Sequence, residues 1–347
     1  MSKITIVDVA KKCGVGVSTV SRVINGHPDV SAKTRERIQA VIKETGFVPN
    51  DSARNLKRTD AKCIGVLIKG VTNPFFSPMI DIIEQEIDRQ KYALVLRHVE
   101  ADQEEADIAM ELETEKRLRG IIFLGGGSEQ SRAKLSGLKI PVVFSTIGAS
   151  YLEEEGRAEF STVSVDDRLE AMHMTQYLMN LGHKNIALIT EAMGRRSVGH
   201  LRLEGYKDAY IERGMQVDER LIFYVNQNME HFSVENGYRT MQRMLSSGLE
   251  FTAVFCATDL LAIGAMRAIA DAGLKVPEDI SVCGFDGMEI GRYINPRLTT
   301  IRQPLDQISR ETVKLLFDII ESRSSHRHIT FPAELSVGES TSKYYEK

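Results

Sequence analysis

The first 45 residues carry apolar positions at helical spacing. They form one face of each of two short helices: Val7, Val9 and Ala10 in the first, and Val20, Val23 and Ile24 in the second. Thr5, followed three residues later by Asp8, is the capping-box pattern that begins a helix, and Gly14 turns the chain between the two helices. The other face of the second helix carries Ser18, Thr19, Ser21 and Arg22. Two short helices around a glycine turn predict a helix-turn-helix.

A third helix is predicted to complete this small unit. Ser31 is a good N-cap and Gly46 a good stop, so we expect a helix from about Ala32 to Thr45. Its buried stripe consists of Ile38, Val41 and Ile42. The stretch 49–57 predicts one more short helix, but about two turns of helix are marginal alone because nucleation is costly. We expect that helix to form only when contacts with other molecules stabilise it.

Beyond residue 62, short apolar runs alternate with amphipathic stretches, and this pattern occurs twice. In the first series the predicted strands are Cys63–Ile68, Ala93–Leu96, Gly120–Leu124 and Pro141–Ser145, with helices near Pro78–Gln90, Gln103–Leu118 and Glu129–Gly137. In the second series the predicted strands are Ile186–Thr190, Leu221–Val225, Thr252–Ala257 and Ile280–Phe285, with helices near Leu169–Leu181, Leu201–Arg213, Val234–Ser247 and Leu260–Ala272. Alternating strands and helices indicate parallel sheets covered on both faces. Two such series predict an α/β core of two doubly wound subdomains behind an all-α headpiece.

The charge of the chain is divided unevenly. Residues 1–60 contain 11 Lys and Arg against 6 Asp and Glu, a formal charge of +5. The remaining residues contain 33 against 42, a formal charge of −9. This asymmetry supports contact with a polyanion through the N-terminal unit alone.

Composition narrows the class of protein further. The sequence shows no apolar run of membrane-spanning length and no signal peptide, so we expect a cytoplasmic protein. The four cysteines lack metal-ligand spacing, and we expect free, mostly buried thiols. Gly125-Gly-Gly127 lacks the Lys and Ser/Thr of a phosphate-binding loop, and the eight His are scattered. We therefore predict no enzyme, no cofactor and no metal.

Longer motifs then carry a specific resemblance. In the headpiece they are Val17-Ser-Thr-Val-Ser-Arg-Val-Ile-Asn-Gly26, Val30-Ser-Ala-Lys-Thr-Arg-Glu-Arg-Ile38, Gly46-Phe-Val-Pro-Asn50 and Ala53-Arg-Asn-Leu56. In the core they include Asn73-Pro-Phe-Phe76, Arg202-Leu-Glu-Gly-Tyr206, Thr258-Asp-Leu-Leu-Ala-Ile-Gly264 and Pro277-Glu-Asp-Ile-Ser-Val-Cys-Gly-Phe-Asp286. With these motifs the chain resembles the lactose/galactose repressor family of bacterial transcription regulators. Its core resembles the fold of periplasmic sugar receptors.

The resemblance implies a domain organisation. It implies a helix-turn-helix headpiece over residues 1–48, a hinge helix and linker over 49–61, and a core for effector binding and dimerisation over 62–340. The chain is expected to cross between the subdomains near residues 163, 293 and 325. The N-subdomain then spans about 62–163 and 293–325, and the C-subdomain about 164–292 and 326–340.

The resemblance also implies which residues bind DNA. The positions that match backbone contacts of the family are Thr5, Thr19, Ser21, Asn25, Ser31 and Thr34. Val17, Ser18 and Arg22 match positions that face the major groove, where an arginine can read guanine. Asn50, Ala53 and Leu56 match the hinge, and Leu56 resembles a wedge that enters the minor groove, with a helix staple as the alternative.

Six core positions match the family's effector site. They are Phe75 and Phe232 as stacking platforms, Arg202 and Asp286 as a charged pair, and Thr258 and Gln303 as supporting polar groups. Taken singly, Phe75 can be core filler, Asp286 a helix cap and Arg202 a solvated side chain. Thr258 replaces an amide of many relatives, and Asp167 and Glu170 replace the usual Asn and Gly. We expect a sugar effector. Because purine-binding relatives use a similar set of residues, a nucleobase is the alternative.

Three classes of protein remain to be compared. A transport receptor has no use for the headpiece and needs a secretion signal, while an enzyme needs a nucleophile, a metal cluster or a phosphate loop. A transcription regulator explains every feature. We predict a repressor that binds a near-palindromic operator as a homodimer under the control of a small molecule. Control by a phosphocarrier protein that acts as a coregulator is the alternative.

Overall fold

The computed structural model describes residues 6–24, 30–45, 62–70, 73–100, 103–125, 134–148, 160–191 and 197–345. The chain divides into two compact units, Met1–Ala61 and Lys62–Lys347. Among the helices of the described residues, none has both the length and the apolar character that crossing a bilayer requires.

The first unit contains three short helices. They are α1 (Ile6–Cys13), α2 (Val17–Ile24) and α3 (Ala32–Thr45). Gly14 has a φ of +60°, and the turn it makes brings Val15 N within 3.1 Å of Ala10 O. The buried core consists of Val9, Ala10, Cys13, Val20, Val23 and Ile38, with Val41 and Ile42 partly buried against it. This arrangement confirms the predicted three-helix headpiece.

The second unit contains twelve strands, seven α-helices and three short 3-10 helices within its described residues. The strands are β1 (Cys63–Lys69), β2 (Ala93–Val99), β3 (Leu118–Leu124), β4 (Val142–Ser145), β5 (Ser161–Val165), β6 (Ile186–Thr190), β7 (Ile222–Tyr224), β8 (Ala253–Cys256), β9 (Ser281–Asp286), β10 (Thr299–Arg302), β11 (His328–Phe331) and β12 (Glu334–Ser336). The helices are α4 (Ser77–Arg89), α5 (Glu105–Lys116), α6 (Asp167–Asn180), α7 (Val198–Glu212), α8 (Val234–Leu245), α9 (Asp259–Asp271) and α10 (Leu305–Ile320). The helix predicted near Glu129–Gly137 lies mostly outside the described residues.

The strands form two six-stranded sheets. The first has the order β11-β5-β4-β3-β1-β2 and is parallel throughout. The second has the order β12-β10-β9-β8-β6-β7 and is parallel except for β12, which pairs antiparallel with β10. The two predicted doubly wound subdomains are confirmed, with one antiparallel edge strand added. In such sheets the strand order reverses beside the first strand, which opens a crevice at the carboxyl ends.

The chain passes between the two sheets three times. It leaves the first sheet after β5 at Asp166, returns after β10 at Gln303 and Pro304, and leaves again after β11. The last two crossings come later than the expected positions near 293 and 325. The reason is that β10 still pairs with β9 of the second sheet, and β11 still pairs with β5 of the first.

The four cysteines are free, as expected. Cys13, Cys256 and Cys283 are buried and Cys63 is partly buried. Burial raises the pKa of the Cys256 and Cys283 thiols, so these two groups are neutral core side chains.

Candidate functional site

The recognition helix α2 presents two different faces. Val20 and Val23 are buried against the headpiece core, whereas Val17, Ser18 and Arg22 are exposed and Thr19 and Ser21 are partly buried. At the start of α3, Ser31 Oγ lies 2.9 Å from Thr34 Oγ1 and accepts a 3.4 Å hydrogen bond from Thr34 N. The predicted DNA-binding residues that the structure describes therefore lie on α2 and at the start of α3. Thr5, Asn25, Asn50, Ala53 and Leu56 lie outside the described residues.

In the second unit, the predicted effector residues follow strand ends or lie on the helices beside them. Phe75 follows β1 in a short 3-10 turn, and Asn73 caps that turn by accepting a 3.0 Å hydrogen bond from Phe75 N. Thr258 follows β8, Asp286 ends β9 and Gln303 follows β10. These four residues therefore lie at the carboxyl ends of strands, the edge at which doubly wound sheets bind ligands.

Arg202 is the centre of a buried polar cluster. Arg202, on α7, is 2% exposed, so the solvated alternative for this residue is wrong. Arg202 Nε and Nη2 donate to Asp167 Oδ1 at 2.9 and 2.8 Å, and Nη1 donates to Ala257 O at 2.5 Å. Nη2 also lies 3.2 Å from Asp286 Oδ1, and the guanidinium carbon lies 3.7 Å from the centre of the Phe285 ring. The guanidinium is held within the second subdomain by two carboxylates, a carbonyl and an aromatic face.

Asp286 joins this cluster to the second crossing. Its Oδ1 accepts from Gln303 Nε2 at 3.0 Å as well as from Arg202, and Gln303 N donates to Asp286 O at 3.3 Å. Asp286 has a φ of +119°, a strained conformation for a residue with a side chain. The strand end that carries the carboxylate is fixed from behind because Asp259 Oδ2 accepts from Met288 N at 2.6 Å.

Two acceptor atoms of the cluster have no partner. Asp167 Oδ2 and Gln303 Oε1 are buried, and neither makes a hydrogen bond within the described residues. The two residues are 2% and 5% exposed. Buried polar atoms in native proteins are nearly always satisfied, so each of these acceptors can take a hydrogen bond from a ligand donor or from an ordered water.

Burial dominates the electrostatics of the three neighbouring carboxyls. It raises the pKa of Asp286 to about 6, although the Arg202 guanidinium acts in the opposite direction. It also raises the pKa of Asp167 and of Asp259. Within the described residues, Arg202 is the only basic side chain that forms an ion pair with Asp167 or Asp286. The cluster therefore holds more acidic groups than its one guanidinium balances.

The remaining predicted residues have mixed surroundings. Phe75 is 5% exposed in the hydrophobic core and meets Phe76 edge-on with ring centroids 5.2 Å apart, as the core-filler alternative requires. Phe232 is partly buried against the core of the second sheet. Thr258 caps α9 by accepting from Leu261 N at 3.4 Å, which leaves its hydroxyl hydrogen as a donor. The ring contacts within the described residues do not include a pair of Phe75 and Phe232.

The structure adds residues that the sequence did not indicate. Asp167 is the partner of Arg202, and the only sequence signal for it was its replacement of a usual Asn. Glu191, at the end of β6, is 7% exposed, accepts from Gly199 N at 3.1 Å and lies 3.6 Å from His231 Nδ1. No motif identified Glu191, because a single carboxylate after a strand has no characteristic spacing.

A separate cavity of about 590 Å³ lies beside α8 and contains none of the predicted site residues. Its lining consists of Asn226, Asn236, Arg239, Thr240, Gln242, Arg243 and Ser246. The buried cluster, rather than this surface cavity, joins the strand ends and two of the crossings.

Comparison with known proteins agrees with both units. Residues 5–50 match the bacterial regulatory proteins of the lacI family, and residues 175–341 match a periplasmic binding protein-like domain. The chain is 37% identical over 342 residues to the HTH-type transcriptional regulator MalR of Clostridium butyricum, covering 95% of this chain and 97% of that protein.

Solved structures agree over the same length. A crystal structure of the lac repressor dimer bound to operator and the anti-inducer ONPF is 26% identical, with a TM-score of 0.74 over 98% of this chain and 100% of that chain. A complex of the transcriptional regulator CelR with cellobiose is 28% identical, with a TM-score of 0.70 over 97% and 99%. The match extends over nearly the whole chain and includes both the helix-turn-helix and the two-sheet core. It shows that this protein belongs to the lacI family of bacterial regulatory proteins and is a DNA-binding transcription regulator rather than an enzyme.

Proposed function

We propose that this regulator is a homodimeric repressor whose affinity for a near-palindromic operator is controlled by a sugar bound at the carboxyl ends of the second sheet. The observation that carries the proposal is the buried cluster around Arg202. It joins Asp167, which directly follows the first crossing, to Gln303, which forms the second.

The DNA half of the proposal rests on α2. Val17, Ser18 and Arg22 are the exposed residues of this helix that can reach base edges, and Thr19, Ser21, Ser31 and Thr34 can bind phosphates. Thr5, Asn25, Asn50, Ala53 and Leu56 stay predictions from the resemblance. One recognition helix contacts few bases, so two headpieces on one operator supply the specificity.

The effector half rests on the acceptors of the cluster. A sugar hydroxyl can donate to Asp167 Oδ2 or Gln303 Oε1, while Phe232, which is only partly buried, can pack on the apolar face of the ring. The lac repressor with ONPF and CelR with cellobiose are precedents for a ligand in this fold. A nucleobase, which also offers N–H donors, is the alternative to a sugar.

A physical route from ligand to DNA follows from the crossings. Asp167 and Gln303 flank two of them, and Glu170 Oε1 accepts a 3.3 Å hydrogen bond from Ala333 N at the third. A ligand that donates to the cluster would favour one orientation of the two subdomains over another. Operator affinity then changes by a shift of population between DNA-competent and DNA-incompetent states.

The test begins with an operator selected from random DNA by the purified protein. A thermal-shift screen of sugars, sugar phosphates and nucleobases then identifies ligands, because a ligand at 100 times its dissociation constant adds about 2.7 kcal/mol of stability. Operator affinity is measured with and without the ligand for wild type, Asp286→Asn and Gln303→Ala. We expect both variants to bind the operator and to lose the response at the original ligand concentration.

The matched control is Asp218→Asn, since Asp218 pairs only with Arg220 at the surface among the described contacts. This variant should respond like wild type. If Asp286→Asn and Gln303→Ala also respond normally, the effector binds elsewhere, and a protein such as a phosphocarrier on the outer surface becomes the candidate.

A further inference from the structure

Arg202 does not offer its charge to a ligand. Its Nε, Nη1 and Nη2 all donate within the protein, to Asp167, Ala257 and Asp286, at 2.5 to 3.2 Å. The guanidinium face is covered by the Phe285 ring. An anion that approached Arg202 would have to compete with two carboxylates that are already in place.

The groups left unsatisfied are acceptors. Six buried side-chain oxygens of the described residues make no hydrogen bond; four are hydroxyls, of Ser164, Tyr224, Ser309 and Ser324, and the other two are Asp167 Oδ2 and Gln303 Oε1, which both belong to the cluster around Arg202. An acceptor in this position can be satisfied by an O–H or N–H donor, but not by a phosphate or carboxylate oxygen.

The charge of the cluster also disfavours an anionic ligand. Asp167, Asp286 and Asp259 are each at most 4% exposed, and one guanidinium faces them. Asp167 raises the pKa of Asp286, which is the effect expected of like charges held close together. A further negative charge brought into this site by a ligand is repelled with little screening by water.

We propose that the cleft binds a polyhydroxylated effector that donates hydrogen bonds to Asp167 and Gln303, and that it rejects the phosphorylated form of the same compound. This inference rests on the proposed function, since it assigns the chemical class of the effector at the same site. Asp167 is then the residue that sets specificity, because it supplies both the unpaired acceptor and the excess charge.

The experiment uses matched pairs of ligands on the full-length protein. Glucose, ribose and cellobiose are each compared by calorimetry with their terminal phosphate monoesters, for wild type and for Asp167→Asn. We expect at least one neutral sugar to bind wild type, with its phosphate binding at least about tenfold more weakly because like charges face each other in the complex.

The Asp167→Asn variant separates charge from shape. If the Asn Oδ1 keeps accepting from Arg202, its Nδ2 takes the place of the unpaired Oδ2, so an acceptor becomes a donor and one negative charge is lost. The neutral sugar should bind more weakly to this variant, and the gap between sugar and phosphate should narrow by about tenfold or more. Asp218→Asn, which removes a surface carboxylate, should leave the gap unchanged.

The outcomes distinguish the two proposals. A phosphate that binds wild type as tightly as its sugar overturns this inference, while a small-molecule effector in the cleft stands. A gap that is the same in wild type and Asp167→Asn also overturns it. If no neutral sugar of the thermal-shift screen binds, the proposed sugar effector is wrong, and this inference is wrong with it.

Discussion

Arg22 lies on the exposed side of the recognition helix, one position before the buried Val23. An arginine there can make a bidentate contact with guanine O6 and N7. We expect Arg22→Ala to weaken operator binding by about 1–3 kcal/mol and to relax the preference at one base of each half-site. The measurement is a fluorescence-anisotropy titration against the selected operator and against single-base variants of each half-site.

A phosphate contact behaves differently, and α3 offers the control. Lys33 and Arg37 are exposed on this helix. Replacing either by Ala should weaken binding about equally on all sequences and lower the salt dependence. If Arg22→Ala also loses equal affinity for the operator and for scrambled DNA, Arg22 does not read sequence.

Asp286 should make stability depend on pH. Its pKa is raised from 3.8 to about 6 by burial, so the folded state binds a proton that the unfolded state has released between these values. Stability therefore falls as pH rises from about 4 to 6.5, by roughly 3 kcal/mol for a shift of about two units. We expect the difference in unfolding free energy between wild type and Asp286→Asn to fall by this order, as measured by urea denaturation across that range.

The comparison with Asp286→Asn tests the contribution of this group. Asp286 raises the pKa of Asp259, so its replacement by Asn removes both its own titration and this effect on its neighbour, and the difference reports the two together. For Asp218→Asn at the surface the difference should show no such fall, because Arg220 lowers the pKa of Asp218 instead of raising it. A flat difference for Asp286→Asn would mean that the Asp286 carboxyl is ionised at ordinary pKa in the folded protein.

Pairs of helices pack closely on the second sheet because glycines lie where they touch. A Cβ on Gly205 of α7 would lie 2.0 Å from Arg168 O, and one on Gly264 of α9 would lie 2.0 Å from Val234 O. Both atoms belong to the backbone and cannot rotate away. Gly205→Ala should therefore destabilise the protein by about 1–3 kcal/mol or more, although alanine is the better helix former.

Thermal and urea denaturation measure this effect. Ile211→Ala serves as the control on the same helix, since Ile211 is 70% exposed and its replacement should change stability by less than about 0.5 kcal/mol. Equal stability of Gly205→Ala and wild type would show that α6 and α7 can separate at little cost.

At the scale of elements, the sequence predicted most strands and helices, and the structure shows why some were missed. α3 and β6 have the predicted bounds, because a cap and stop define the one and an unbroken apolar run defines the other. β5 is Ser161-Thr-Val-Ser-Val165, whose polar residues conceal a buried strand. Thr162 Oγ1 is satisfied by His328 Nδ1 at 3.0 Å, a partner that lies far away in the sequence.

The whole molecule should bind DNA as a dimer. A single headpiece exposes only α2 to the bases, so we expect two chains on each operator and an operator with two inverted half-sites. Sedimentation of the protein, alone and with operator DNA, measures the stoichiometry. The proposal fails if a monomer binds the selected operator tightly and in preference to scrambled DNA.

The sequence by itself determined most of the elements, the division of charge and the family, because helical and strand periodicity, caps and motifs are local properties of the chain. It also predicted Arg202 and Asp286, which lie in the quoted motifs, and Gln303 as members of the site. Only the tertiary structure decided that Asp167 holds Arg202 across 35 positions of sequence, and that Asp167 Oδ2 and Gln303 Oε1 remain without a donor. Which polar atoms are satisfied depends on how the three crossings bring distant strand ends together, and the local pattern does not contain that information.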